Sequence, residues 1–156
     1  MKHPTLDAHE IAHDLWQGGK PPYGTSVAES GFRILVLTAR EFQPESVYFP
    51  DIKVIHAPND DHPKFGSLTK EKLRGAVGAA RQVTDAIKNG QKVLVTCAAG
   101  LNRSGLVSGI VLHMLYGWPG EKCVQVVREK RGPVGDMLPL CNEEFVQVLK
   151  NLRARE

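Results

Sequence analysis

The sequence predicts one α/β domain, in which a central, mixed and partly parallel sheet is flanked by helices. Short β-rich runs at residues 34–37 and 54–55 come early, and long helical segments alternate with and follow them. Residues 93–95 form an entirely apolar run, which is typical of a strand buried on both faces. A chain of 156 residues with 42% hydrophobic side chains suits a single compact core. We therefore assign residues 1–156 to one domain and expect residues 1–10 to be loosely attached.

Residues that end helices or strands separate the predicted elements. The two early β-rich runs have strand length, and a turn region with Pro44 and Pro50 lies between them. A helix is predicted over about residues 69–89, because apolar side chains recur there every three or four positions. These positions are Leu73, Val77, Ala80, Val83 and Ile87. Gly90 follows where a glycine commonly ends a helix.

Three further helices are predicted after the apolar strand. They cover residues 103–116, residues 120–130 and a segment that begins at Asn142, a favourable N-cap. The second of them ends in a charged run, which we interpret as a partly solvated helix end. Within that run, Arg131 is a candidate anchor for the scaffold of a site.

The segment that carries chemistry joins the strand ending at Thr96 to the helix beginning near Arg103. Ligands bind at such carboxyl ends of strands in parallel sheets. The first N–H groups of a helix are unpaired and its dipole favours negative charge, and the small residues 98–100 allow further N–H groups to converge. Cys97 lies at the mouth of this nest. Because thiols at helix N-termini have a pKa of about 3.5–7.5 instead of about 8.5, the sequence predicts a thiolate nucleophile there.

Arg103 lies six residues after Cys97 and is a candidate phosphate clamp. Its planar guanidinium grips two phosphate oxygens at once, which a lysine cannot do. Gly100 and Gly105 give the loop a superficial likeness to a nucleotide-binding loop, but residues 106–107 are Leu and Val where that motif needs Lys and Ser or Thr. The residues therefore favour a nucleophile with a phosphate clamp over an ATPase.

Cys97, five intervening residues, Arg103 and Ser104, placed after an apolar strand, resemble the signature of the cysteine-dependent protein tyrosine phosphatase superfamily. The small size resembles its dual-specificity branch. Weaker matches flank the signature at the opening strand and the two closing helices of that branch, at residues 15–19, 128–131 and 142–145. The resemblance covers about residues 15–152.

This resemblance implies hydrolysis of phosphate monoesters in two steps, with no metal and no organic cofactor. Cys97 would attack phosphorus and carry the phosphate as phosphocysteine, and Ser104 would stabilise the thiolate as it leaves. The Arg103 side chain and the loop N–H groups would hold the phosphate oxygens. Those phosphate-binding residues are Ala98, Ala99, Gly100, Leu101, Asn102 and Arg103.

The resemblance also implies an upstream aspartic acid that protonates the leaving oxygen. Asp61 is followed by His62 and Pro63, which resembles the Asp-x-Pro version of the family's loop. Asp60 follows Asn59 and resembles a second version. We assign Asp61 as general acid and base, with Asp60 as the alternative.

Thr96 departs from the family pattern, which usually has His directly before the nucleophile. In the family that His orients the loop and tunes the thiolate. We therefore keep a second hypothesis, in which the protein is a phosphate-binding module with little catalytic activity and not an enzyme.

The composition limits the partners and the cellular compartment that we expect for the protein. A net charge of +3 is too small to indicate a nucleic-acid binder, and the histidines and cysteines show no metal-ligand spacing. No apolar leader is visible, and the longest apolar stretch is too short to span a bilayer. Three widely spaced cysteines suggest reduced thiols, with Cys123 and Cys141 in structural roles. We therefore expect a cytoplasmic protein with no membrane partner.

The expected substrate is a phosphoprotein bearing phosphotyrosine and phosphoserine or phosphothreonine. Asn102 before Arg103 resembles the related RNA 5′-phosphatases, so an RNA 5′ end is one alternative. Phosphoinositides are another, although lipid-directed relatives tend to carry Lys where this loop has Ala98, Ala99 and Leu101.

Overall fold

The computed structural model describes residues 1–62 and 64–154 and contains a five-stranded mixed sheet. The strands are β1 (Ala8–Ala12), β2 (Leu15–Gly18), β3 (Phe32–Ala39), β4 (Lys53–Asn59) and β5 (Lys92–Thr96). Their spatial order is β1-β2-β5-β3-β4, and only the β1–β2 pair is antiparallel. The fold is therefore the predicted α/β domain with a partly parallel sheet.

Five α-helices connect and follow the strands in the described chain. They are α1 (Ser26–Glu29), α2 (Lys70–Lys88), α3 (Arg103–Tyr116), α4 (Gly120–Arg131) and α5 (Glu143–Lys150). The Thr69 hydroxyl accepts from the Lys72 N–H to cap α2, and the Asn142 side chain accepts from the Phe145 N–H to cap α5. The four long helices lie within a residue or two of the predicted segments.

The sheet has a hydrophobic cluster on each face, and β5 contributes to both. Val93 and Val95 belong to the cluster formed with α2 to α5, whereas Leu94 faces the other cluster. That second cluster includes Trp16, Phe32 and Phe49 and is completed by the N-terminal segment and α1. Side chains alternate along a strand, so an apolar run of three residues places β5 between two apolar layers.

The main difference from the sequence prediction is β1, which we did not predict. Its sequence carries His9 and Glu10, and the pairing with β2 is irregular between Glu10 and Ala12. The weak alternation and the bulge explain why no strand pattern is visible there. Residues 1–10, which we expected to be loosely attached, pack against the sheet through buried His3 and Leu6.

Parallel pairing of β2, β5, β3 and β4 brings the carboxyl ends of these four strands to one edge of the sheet. The loop after β5, residues 97–102, lies at the centre of that edge because β5 is the middle strand. The loops after β2, β3 and β4 surround it. The topology therefore collects residues from four separate parts of the chain around Cys97.

Candidate active site

The loop at residues 97–102 has its carbonyl groups turned outward. Ala98 O accepts from Lys20 N at 3.2 Å, and Leu101 O accepts from Leu140 N at 3.1 Å. Between them, Ala99 O and Gly100 O each accept a hydrogen bond of 3.0 Å from the Arg131 guanidinium. Four consecutive carbonyls are thus held by neighbouring elements.

The N–H groups of the same peptide units point the opposite way. In a planar trans peptide the N–H lies opposite the C=O, so fixing the four carbonyls directs the next four N–H groups toward the loop interior. These belong to Ala99, Gly100, Leu101 and Asn102. None of them donates a hydrogen bond to another part of the described chain. The result is a cradle of N–H donors at the N-terminus of α3, suited to an anion.

Gly100 is required by the shape of this cradle. Its φ is +73°, in the left-handed region that other residues rarely adopt. A Cβ at this position would lie 2.4 Å from the Gly18 carbonyl carbon and 2.6 Å from Nη2 of Arg131. Only glycine allows β2, the loop and Arg131 to approach so closely.

Arg131 holds the cradle from behind. Its side chain is fully buried, and besides the two loop carbonyls it donates to Asp7 Oδ1 at 3.0 Å and to His9 Nδ1 at 2.8 Å. Gln17 Nε2 supplies a second donor to Gly100 O at 2.9 Å. The candidate anchor of the sequence analysis therefore bonds to the loop directly, and the N-terminal segment supplies its counter-charge.

Cys97 lies at the base of the cradle and is 5% exposed. Its Sγ is 3.2 Å from the buried Ser104 hydroxyl. The preceding Thr96 side chain donates to Val36 O at 2.8 Å and accordingly bonds within the sheet. Where the family usually has a His, this chain therefore has a residue that secures the strand.

Arg103 is held beside the cradle by a residue that the sequence analysis missed. Both terminal nitrogens of its guanidinium donate to the Glu41 carboxylate, and Nη1 also donates to Asn59 O at 3.1 Å. The hydrogen bonds from Arg103 hold the pKa of Glu41 below its ordinary value. The Nε of Arg103 is buried and has no hydrogen-bond partner among the described residues. That buried donor is free for a ligand.

Asp61 is tied to the cradle by two asparagines. Its Oδ2 accepts from Asn102 Nδ2 at 2.9 Å, and its Oδ1 accepts from Asn142 Nδ2 at 3.0 Å. The Asn142 backbone N–H donates in turn to Asn102 Oδ1 at 2.9 Å. Asn142 was predicted as a helix cap, and its contact with Asp61 is a further finding. Pro63, part of the motif used to assign Asp61, lies outside the described residues.

Asp60 is engaged differently from Asp61. It accepts from Lys72 Nζ at 2.6 Å and pairs with Arg40 Nη1 at 3.3 Å. The hydrogen bond from Lys72, followed by that from Arg40, holds the pKa of Asp60 below its ordinary value. The structure thus separates the two adjacent carboxylates, one at the cradle and one in a cluster with two cations.

These side chains open into a cleft of about 500 Å³. It is lined by residues from the loops after β3 and β4, from α2 and from the start of α3, including Glu41, Asp60, Asp61, Lys72 and Arg103. Within the described residues, no three His, Cys, Asp or Glu side chains converge in a way that could hold a metal ion. The described helices include none that is both long and apolar enough to cross a membrane.

The missed contact of Glu41 had no local signal. It follows β3, 62 residues before Arg103, and its own neighbours resemble an ordinary loop. The same holds for the contact of Asp7 with Arg131, which are 124 residues apart. Both contacts form because segments that are distant in sequence pack together in the fold, so no local sequence pattern marks either of them.

Similarity to known proteins appears at the level of the fold. No protein-family model matches the sequence, and no curated protein gives a significant match. Among solved structures, human DUSP28 is similar with a TM-score of 0.72 and 20% identity, over 96% of this chain and 97% of that one. Tk-PTP in its active form has a TM-score of 0.73 and 21% identity, over 96% and 98% of the two chains.

A mouse putative dual specificity phosphatase complexed with zinc tungstate is also similar, with a TM-score of 0.70 and 21% identity. That likeness extends over 96% of this chain and 90% of the mouse chain. Since these identities are low, the comparisons establish architecture. The chain has the fold of the cysteine-dependent protein tyrosine phosphatases of the dual-specificity branch.

Proposed function

We propose that this protein is a phosphatase that hydrolyses phosphate monoesters through a phosphocysteine on Cys97. The observation that supports this most strongly is the cradle, in which four N–H groups face inward and the buried Arg103 Nε has no partner. A buried donor without a partner costs about 1–3 kcal/mol, so this set of donors favours an oxyanion that accepts their hydrogen bonds. A phosphate has enough equatorial oxygens to accept all of them.

In the first step the Cys97 thiolate attacks phosphorus and the bond from phosphorus to the ester oxygen breaks. Asp61 donates its proton to the departing alcohol or phenol. In the second step water attacks phosphorus, Asp61 takes up a proton from that water, and the sulfur–phosphorus bond breaks. The Ser104 hydroxyl, 3.2 Å from Sγ, stabilises the thiolate that is released.

We favour Asp61 over Asp60 as the general acid because the two carboxylates have different hydrogen-bond partners. Asp61 bonds to neutral amides, one of them on the cradle residue Asn102. Asp60 is paired with two cations, and its lowered pKa makes it a poor proton donor near neutral pH. The contacts therefore favour the assignment made from the sequence.

Thr96 does not remove the means of stabilising a thiolate. The cradle N–H groups, the α3 N-terminus and Ser104 all favour negative charge on Sγ, and none of them depends on the residue before the nucleophile. We therefore favour a catalytic role over the binding-module hypothesis. The proposed substrates are phosphoproteins bearing phosphotyrosine and phosphoserine or phosphothreonine, in the reducing cytoplasm where a catalytic thiol persists.

The test is hydrolysis of a small aryl phosphate between pH 5 and 8, with a reductant and a metal chelator. We expect wild-type turnover, loss of all turnover in Cys97→Ser, and a far larger fall in kcat for Asp61→Asn than for Asp60→Asn. Removal of a general acid typically costs about 10²–10⁴-fold. A wild type that binds vanadate but does not turn over would instead favour the phosphate-binding module.

A further inference from the structure

A second cleft, of about 490 Å³, adjoins the cradle on the side of the loop after β2. Its lining is mainly apolar and aromatic. We call it the side cleft, and its lining includes Leu6, Lys20, Pro21, Pro22, Tyr23 and Phe42. None of these residues has a role in the proposed hydrolysis.

A hydrogen bond and a sequence neighbour connect the side cleft to the phosphate site. The Lys20 backbone N–H donates to Ala98 O, one of the outward carbonyls of the cradle. Phe42 directly follows Glu41, whose carboxylate holds Arg103. An extended peptide advances about 3.3 Å per residue, so residues a few positions from a phosphorylated residue are long enough in reach to contact surfaces that neighbour the cradle.

The aromatic wall of the side cleft is exposed. Tyr23 is 56% exposed, and its ring lies 5.1 Å from that of Tyr48, a neighbour outside the cleft lining that is 52% exposed. Tyr23 also packs against Phe42 at 5.8 Å. The loops after β2 and β3 thus present adjacent aromatic rings to solvent, which is typical of a surface that binds a partner.

The charges of the side cleft exclude a polyanionic occupant. Lys20 is the one cation among its described lining residues, and its Nζ lies 4.5 Å above the Phe42 ring. The Asp7 carboxylate, bonded to Arg131, adds a negative charge to the same wall. A nucleic-acid strand or a second phosphate needs several cations, whereas an apolar side chain needs the surface that is present.

We propose that the side cleft binds the apolar or aromatic side chain of a residue that flanks the phosphorylated residue in a phosphopeptide. This inference rests on the proposed phosphatase function and adds a determinant of substrate choice to it. Tyr23 and Phe42 form the wall and floor that contact the flanking side chain, and the cradle holds the phosphate.

The test is a series of phosphotyrosine peptides with alanine at every flanking position, in which one alanine at a time becomes Leu, Phe or Glu. The value measured is the ratio of kcat/KM for each peptide to that of the all-alanine peptide, within one variant. For the wild type we expect Leu or Phe at one position to raise kcat/KM about tenfold, equivalent to about 1.4 kcal/mol, and Glu there to give no gain. Tyr23→Ala should bring the ratio close to one.

Tyr116→Ala is the matched control. Tyr116 is an exposed tyrosine that stacks on Trp118 at the far end of α3, so this variant should keep the wild-type preference. Phe42→Ala is a second test, provided that its thermal unfolding shows a folded protein.

Three results would overturn the inference. One is an active wild type with no preference at any flanking position, and another is a preference that Tyr23→Ala leaves intact. The third is a 5′-phosphorylated oligonucleotide that outcompetes every peptide and loses that advantage in Tyr23→Ala. A wild type that hydrolyses neither peptide nor aryl phosphate would instead refute the proposed function, on which this inference depends.

Discussion

Replacing Arg131 by methionine should damage the cradle without touching any residue that contacts substrate. The variant keeps most of the side-chain volume and removes the charge and four hydrogen bonds. Gly100 O would retain the bond from Gln17, but Ala99 O would lose its donor. The Ala99–Gly100 peptide would then be free to rotate, and the inward direction of its N–H would no longer be fixed.

The contacts of Arg131 set the expected loss of stability and of vanadate affinity. An unpartnered carbonyl costs about 1–3 kcal/mol when buried and less at exposed Ala99, and each lost hydrogen bond from a charged group adds about 1.5 kcal/mol or more. The Asp7 side chain is 56% exposed and regains water, so the net loss should be about 3–4 kcal/mol. For a chain of this size that corresponds to a Tm lower by about 6–16 °C. Loss of one cradle N–H should raise the vanadate inhibition constant about tenfold.

The assay compares thermal unfolding and vanadate inhibition in Arg131→Met and in a control of lowered stability. Val83→Ala is suitable, because Val83 is fully buried in α2, away from the cradle, and its truncation should cost about 2 kcal/mol. The control should unfold earlier but bind vanadate like the wild type. If Arg131→Met also binds vanadate within twofold of the wild type, Arg131 has only a structural role.

Three further outcomes are expected. Gly100→Ala should lose vanadate binding and be destabilised, by about 1–2 kcal/mol from its positive φ alone, as unfolding in the presence and absence of vanadate would show. Burial raises the pKa of Cys123 to about 11, so iodoacetamide should label exposed Cys141 and leave Cys123 unmodified in the folded protein at pH 8. Because the folded-state pKa of Asp60 lies below 3.8, its contribution to stability is present above that pH and is lost as the pH falls through the lowered value. The stability difference between wild type and Asp60→Asn should therefore shrink as the pH falls below 3.8, and a difference that does not change with pH would contradict the ion-pair assignment.

Local patterns carry most of what the sequence predicted correctly. The apolar run of β5, the three-to-four spacing of α2 and the capping Asn142 each act over a few residues, and the structure contains all three elements. The loop of small residues between β5 and α3 is likewise a local feature, so its position could be predicted. The inward direction of its N–H groups could not, because it is fixed by Lys20, Arg131 and Leu140 from other parts of the chain.

Contacts between distant segments account for the features of the fold and the site that the sequence did not predict. Glu41 reaches Arg103 only because β3 is hydrogen-bonded to β5 and both strands end at the same edge. The side cleft joins residues after β2 and β3 with the N-terminal segment, and β1 was missed because its pattern is irregular. Sequence spacing indicated Cys97 and Arg103 as candidate nucleophile and phosphate clamp, whereas the sheet order determines which residues hold them in place.

The most direct test of the central claim is to trap the proposed intermediate. The wild type and Cys97→Ser would be mixed with an aryl phosphate, denatured within milliseconds to seconds and digested for mass spectrometry. We expect one phosphate per chain on the peptide that contains Cys97 in the wild type, and none in Cys97→Ser. Phosphate on another residue, or hydrolysis that continues in Cys97→Ser, would contradict a phosphocysteine mechanism.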